Sequence, residues 1–159
     1  MTLAKKYILP ALTLLVLTLL TGCVTNNGDI GRYYGVWALD RMTVDGADDT
    51  SFSHGPGMWE DSWTCFSFQN SVVCIARYNA LQDRDERWGT WSEDGKELTL
   101  DFTHRDDSGN PDYYTAPAWI LMEPGTTVCR IEAATDRAMT LSFTDTRGRR
   151  IVYYLRKTY

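Results

Sequence analysis

Few side chains in this sequence have the types and spacing that chemistry requires. The two histidines, His54 and His104, stand in separate stretches rich in Gly or acid, with no His-x-x-x-His spacing around either. Both read as solvated loop residues, and no metal is expected. The stretch 101–112, DFTHRDDSGNPD, has the acidity of a calcium loop without the ligand spacing of an EF-hand. A turn-rich surface loop is the better reading. Glu60 and Asp61, in MWEDSW, form a carboxylate pair flanked by aromatics, as glycoside cleavage would need. Adjacent residues of a strand point to opposite faces, however, so the two would diverge. No Gly-x-Ser-x-Gly, phosphate-binding loop or Cys-His pairing occurs. No catalytic residue, cofactor or enzymatic activity is expected.

What remains is cysteine and aromatic chemistry: Cys23, Cys65, Cys74 and Cys129, with six Trp and nine Tyr. Such side chains act through where they are held, so the elements decide their meaning. No stretch sustains an apolar 3.6-residue period. Short runs rich in Val, Ile, Thr, Tyr, Phe and Trp recur between Gly, Asn and Asp clusters, the signature of an all-β chain. Strands are predicted over 36–44, 63–68, 71–78, 87–92, 97–103, 113–122, 128–133, 139–144 and 149–156. Only 45–62 and 104–112 are long irregular stretches. An antiparallel up-and-down meander of eight or nine strands must hide its edges, and closure into a barrel removes them. The long crossover connections of a sandwich are missing.

Three turns predict registers. Asp94-Gly95 as a two-residue loop pairs Trp91 with Leu98 and Gly89 with Leu100, placing Trp91 on the buried face of Leu98, Leu100 and Phe102. Thr146-Arg147-Gly148 as a three-residue loop, with Gly in the left-handed position, pairs Phe143 with Ile151, Leu141 with Tyr153 and Met139 with Leu155. Gln69-Asn70 as a two-residue loop sets Cys65 opposite Cys74, where Cα atoms approach to about 4.5 Å and a disulfide fits. A Cys65–Cys74 bridge is therefore expected, with Cys129 turned inward as a small buried hydrophobe; three free thiols are the alternative.

The N-terminus has a different character. Lys5 and Lys6 precede an apolar-and-Thr run over 7–20, then Leu20-Thr21-Gly22-Cys23. That is a signal peptide, too short in its apolar part for the roughly 20 residues of a spanning helix. Leu-Thr-Gly-Cys resembles the lipobox of bacterial lipoproteins. The resemblance implies cleavage before Cys23 and acylation of its sulfur, and several acyl chains anchor a protein durably. Val24 in place of Asp after that Cys implies an outer-membrane destination under the enterobacterial sorting rule. The expected organisation is a signal peptide over 1–22, a flexible tether over 23–34 and one barrel over 35–159. The chain carries a net charge of −5 at pH 7, before Lys5 and Lys6 are lost with the leader. Acidity makes nucleic acid a poor partner.

With the strands in place, Gly35-Val36-Trp37 gains meaning. It resembles the Gly-x-Trp on the first strand of lipocalins and related calycins, whose indole plugs the barrel base with a last-strand Arg against it. That resemblance assigns Gly35, Trp37 and, from YYLRK, Arg156 to the base. The second lipocalin motif, Thr-Asp-Tyr, is absent. The lipobox, GVWAL, GTWSEDGKELTL and YYLRK together resemble the small lipocalin-like lipoproteins of Bacteroides and relatives. An eight-stranded barrel is filled by side chains or holds one small ligand. One reading is a cell-envelope protein binding a small apolar or amphipathic ligand among Phe66, Trp91 and Trp119. The other is a filled barrel docking an envelope partner through surface aromatics, with Trp59 and Trp63 at the mouth or in a contact patch.

Overall fold

The computed structural model describes residues 32–54, 62–78, 83–104 and 112–158. The leader, Cys23, Trp59, Glu60, Asp61 and most of the acidic stretch 104–112 lie outside them. The strands are β1 Gly35–Val44, β2 Ala47–Asp48, β3 Trp63–Gln69, β4 Val72–Tyr78, β5 Arg84–Asp94, β6 Glu97–Asp101, β7 Thr126–Ala134, β8 Ala138–Thr144 and β9 Arg150–Lys157. One turn of helix, α1, covers Ser51–His54, and a 3-10 turn covers Ala118–Ile120. Neighbouring strands follow chain order from β3 to β9, and β1 pairs with both β3 and β9. Eight strands thus close into an antiparallel barrel, with β2 a two-residue spur on β1.

Alternation explains the core. Trp37, Phe66, Phe68, Val73, Ile75, Leu98, Leu100, Cys129, Leu141, Ile151 and Tyr153 have no exposed surface, each on the inward face of its strand. Rings from adjacent and next-but-one strands meet inside the barrel: Phe66 lies 5.7 Å from Tyr153, Phe68 5.1 Å from Trp91, and Phe143 5.6 Å from Tyr153. Cys129 points inward as expected.

The β8–β9 hairpin has the predicted register, with Gly148 at φ +80° and its N–H donating to Asp145 O at 3.0 Å. The other two hairpins are each displaced by two residues. The residue with positive φ, Asn70 at +48° and Gly95 at +63°, opens its loop rather than closing it. Trp91 therefore faces Leu100, and Ser67 faces Cys74. A two-residue slip keeps every side chain on its predicted face but changes its partner. For the cysteines the partner is decisive. Cys65 faces Ala76, and such diagonal neighbours stand roughly 7–8 Å apart, outside disulfide reach. Cys65, Cys74 and Cys129 are free thiols, which corrects the expected Cys65–Cys74 bridge.

One of the nine predicted strands, that over 113–122, is not a strand. Pro117 has no N–H for a ladder, and Leu121 takes the left-handed conformation at φ +63°. The run is apolar because it is a plug: Ala116, Ile120 and Met122 are buried, and Tyr153 Oη donates to Ile120 O at 2.6 Å.

At the opposite end, the base, Trp37 is fully buried and its Nε1 donates to Tyr33 O at 2.8 Å. Gly35 begins β1 at φ +120°, opposite Phe68. The cation over the indole is Lys157, its Nζ 5.2 Å from the ring centroid. Arg156, assigned that role by resemblance, instead makes two hydrogen bonds to Asp40 at 2.8 and 3.1 Å on the outer wall. Alternation is the reason: Lys157 shares the face of Leu155, and Arg156 does not.

Candidate functional site at the barrel mouth

Short turns link strands at the base, while the long connections, β1 to β3 and β6 to β7, leave from the other end, the mouth. There the inward face changes character. On β4 the inward series Val73, Ile75 continues to Arg77; on β5 the series Trp91, Gly89 runs back to Arg87 and Asp85. The register sets Arg77 beside Asp85 and Thr64 beside Arg77.

These side chains form an ionic cluster, buried at Arg77 and half-buried at Asp85 and Arg87. Arg77 Nη2 and Asp85 Oδ2 are 3.2 Å apart, with 10% and 26% of their side chains exposed. Arg87 Nη1 donates to Asp85 Oδ1 at 2.5 Å and to Glu86 O at 3.1 Å. Burial pushes the Arg77 pKa down; Asp85 opposes that shift and Arg87 adds to it. Over both guanidiniums lies Trp119 of the plug, with Arg77 Cζ 4.7 Å and Arg87 Cζ 5.3 Å from its ring. The plug is fastened nearby, where β5 outruns β6 and Trp88 N–H donates to Tyr113 O at 2.5 Å.

Thr64 Oγ1, in a residue with no exposed surface, and Trp119 Nε1 are buried here without a hydrogen-bond partner among the described residues. Buried polar groups are normally paired, so each marks a place for a partner. Two guanidiniums, an indole N–H and a hydroxyl are a donor-rich set. The arrangement can hold a polar group; it contains no activated nucleophile.

No family model and no curated protein matches the chain. Among solved structures it is similar to a lipocalin-like protein from Bacteroides uniformis ATCC 8492, with TM-score 0.55 and 16% identity over 80% of this chain and 99% of that one. It is also similar to an uncharacterized protein from Bacteroides eggerthii DSM 20697, with TM-score 0.53 and 16% identity over 79% of this chain and 98% of that one. The fold is lipocalin-like.

The three aromatics expected to share a ligand are spread along the axis of the lipocalin-like barrel. Phe66 is packed between Phe68 and Tyr153 in mid-barrel. Trp91 sits nearer the base, edge-on to Tyr33 and Phe68. Only Trp119 stands at the mouth. Trp63, 40% exposed, lies on the outer wall and stacks on Tyr78 at 5.9 Å, beside a groove of about 530 Å³ that Val36, Ala38 and Cys65 also line. In the adjoining recess burial and then Glu86 push the Cys74 thiol up to about 12, and burial raises Cys65, so neither is a nucleophile at neutral pH. His104 is exposed outside any strand.

Arg77, Asp85 and Arg87 escaped the sequence reading. In CIARY, Arg77 falls in phase with the inward Ile75, but in DRDERWGTW the charges Arg84 and Glu86 alternate with Asp85 and Arg87, so the run of charges does not by itself mark an inward pair.

Proposed function

We propose that this is a lipid-anchored protein of the bacterial cell envelope whose lipocalin-like barrel holds a small amphipathic ligand at its mouth, with no catalytic step. The observation that carries the reading is the inward Arg77–Asp85–Arg87 cluster beneath Trp119, with Thr64 Oγ1 and Trp119 Nε1 buried unpaired. A barrel serving only as a rigid body would be as stable with apolar residues there, because burying ions costs desolvation energy. Rings occupy the axis below the cluster, so the ligand sits above Phe66 rather than among Phe66, Trp91 and Trp119. The Leu-Thr-Gly-Cys site supports the anchor on Cys23, and the absence of Asp after it supports the outer membrane.

The exposed Trp63–Tyr78 stack and its groove favour a second reading, a filled barrel that docks an envelope partner by its outer wall. Titration with the amphipathic fluorophore anilinonaphthalene sulfonate separates the two. Mouth binding predicts saturable binding that Trp119→Ala abolishes and Trp63→Ala leaves intact. Loss on Trp63→Ala alone, or no saturable binding, would sink it.

A further inference from the structure

We infer that the mouth selects ligands with a carboxylate head, Arg87 supplying the planar fork that receives it. The inference rests on the reading of the mouth as a ligand site and names what that site prefers.

The donors decide it. Arg87 directs a single nitrogen, Nη1, to both Asp85 and the Glu86 carbonyl. Its Nε and Nη2 have no hydrogen bond among the described residues and are not sealed from solvent, 18% of the side chain being exposed. These two nitrogens are the edge of a guanidinium that grips a carboxylate with two parallel bonds. Trp119 Nε1 is a donor without an acceptor, and an indole N–H can do nothing but donate. Thr64 Oγ1 adds a hydroxyl that can donate as well. A ligand completing this set must bring acceptors, and an ionised carboxylate brings two oxygens and no donor. A cationic head would meet the guanidiniums with like charge. The rings of Phe66, Phe68 and Tyr153 fill the axis beneath, so the head enters and the tail trails outward over the plug.

The test uses the chain from Val24 to Tyr159, because Arg32–Tyr159 is a compact unit holding every strand of the barrel, its base and its plug. Dodecanoate, dodecanol and dodecylamine are compared as competitors of bound anilinonaphthalene sulfonate, and directly by calorimetry. Dodecanoate should bind about tenfold or more tighter than dodecanol, since a charge-assisted pair exceeds a neutral one by that order. Dodecylamine should be weakest. Arg87→Met should remove the preference for dodecanoate while thermal unfolding confirms the fold. Arg87→Lys, which keeps the charge but loses the fork, should weaken dodecanoate yet retain its lead over dodecanol, and it serves if the Met variant does not fold. Dodecanol equalling dodecanoate, or an undiminished preference in Arg87→Met, would overturn the inference while leaving mouth binding intact. No binding of the fluorophore or of any competitor overturns both.

Discussion

Asp145 shows how one side chain holds a turn. Its Oδ1 accepts from Arg147 N at 3.0 Å and Arg149 N at 2.8 Å, and its Oδ2 from Arg149 Nε at 2.8 Å. Burial works against the ionised form, but the backbone donors and the Arg149 guanidinium outweigh it and hold the carboxyl below its ordinary value. A carboxyl lowered in the folded state contributes stability that is present above its unfolded pKa and lost as pH falls through the folded one. Asp145→Asn should therefore be less stable at neutral pH. The gap to the parent should stay constant above about pH 5 and narrow below about pH 4, near the ordinary Asp titration. Urea unfolding across pH 3–7 reads this out, and a gap independent of pH would refute it. The Asp was visible in the sequence, but the donors come together only when the three-residue loop closes.

Strands β5 and β6 show what happens at element scale. Gly89 lies just beyond the end of their ladder, and a Cβ on it would stand 2.5 Å from Asp101 O and 2.9 Å from Phe102 Cδ1. Backbone cannot yield as a side chain tip can. Gly89→Ala should cost about 1–3 kcal/mol, the usual range for overpacking. A lower urea midpoint with an unchanged slope would report it, and an unchanged midpoint would contradict the close approach. Eight strands were legible because apolar and polar residues alternate along them. The two hairpin registers were less so, because Asp94-Gly95 and Gly95-Lys96 both satisfy composition and differ only in where the positive φ falls. Residues 113–122 misled for another reason. An apolar run records burial, and a plug with Pro117 is buried without being extended.

At the scale of the whole molecule, the proposed anchor and the closed barrel would have separate tasks. If Cys23 carries the lipid, Cys23→Ser should move the protein from the membrane to the soluble fraction and abolish incorporation of a labelled fatty acid. Thermal unfolding of the barrel should be unaffected, since every strand among the described residues lies beyond residue 34. Fractionation and labelling of the two forms decide this, and a Ser variant that stays membrane-bound would remove the anchor from the proposal.

The division between sequence and tertiary structure follows from range. Alternation, turn chemistry and the apolar leader are short-range signals, and from them came the all-β meander, its inward faces, the inward Cys129 and the expectation of lipidation. Partners across strands depend on register and closure, which are long-range. Only the folded barrel separated Cys65 from Cys74, exchanged Arg156 for Lys157 over Trp37, and filled the axis with rings. The same closure carried Trp119, distant in sequence, onto Arg77 and Arg87 and made a mouth from residues that are unremarkable when read singly.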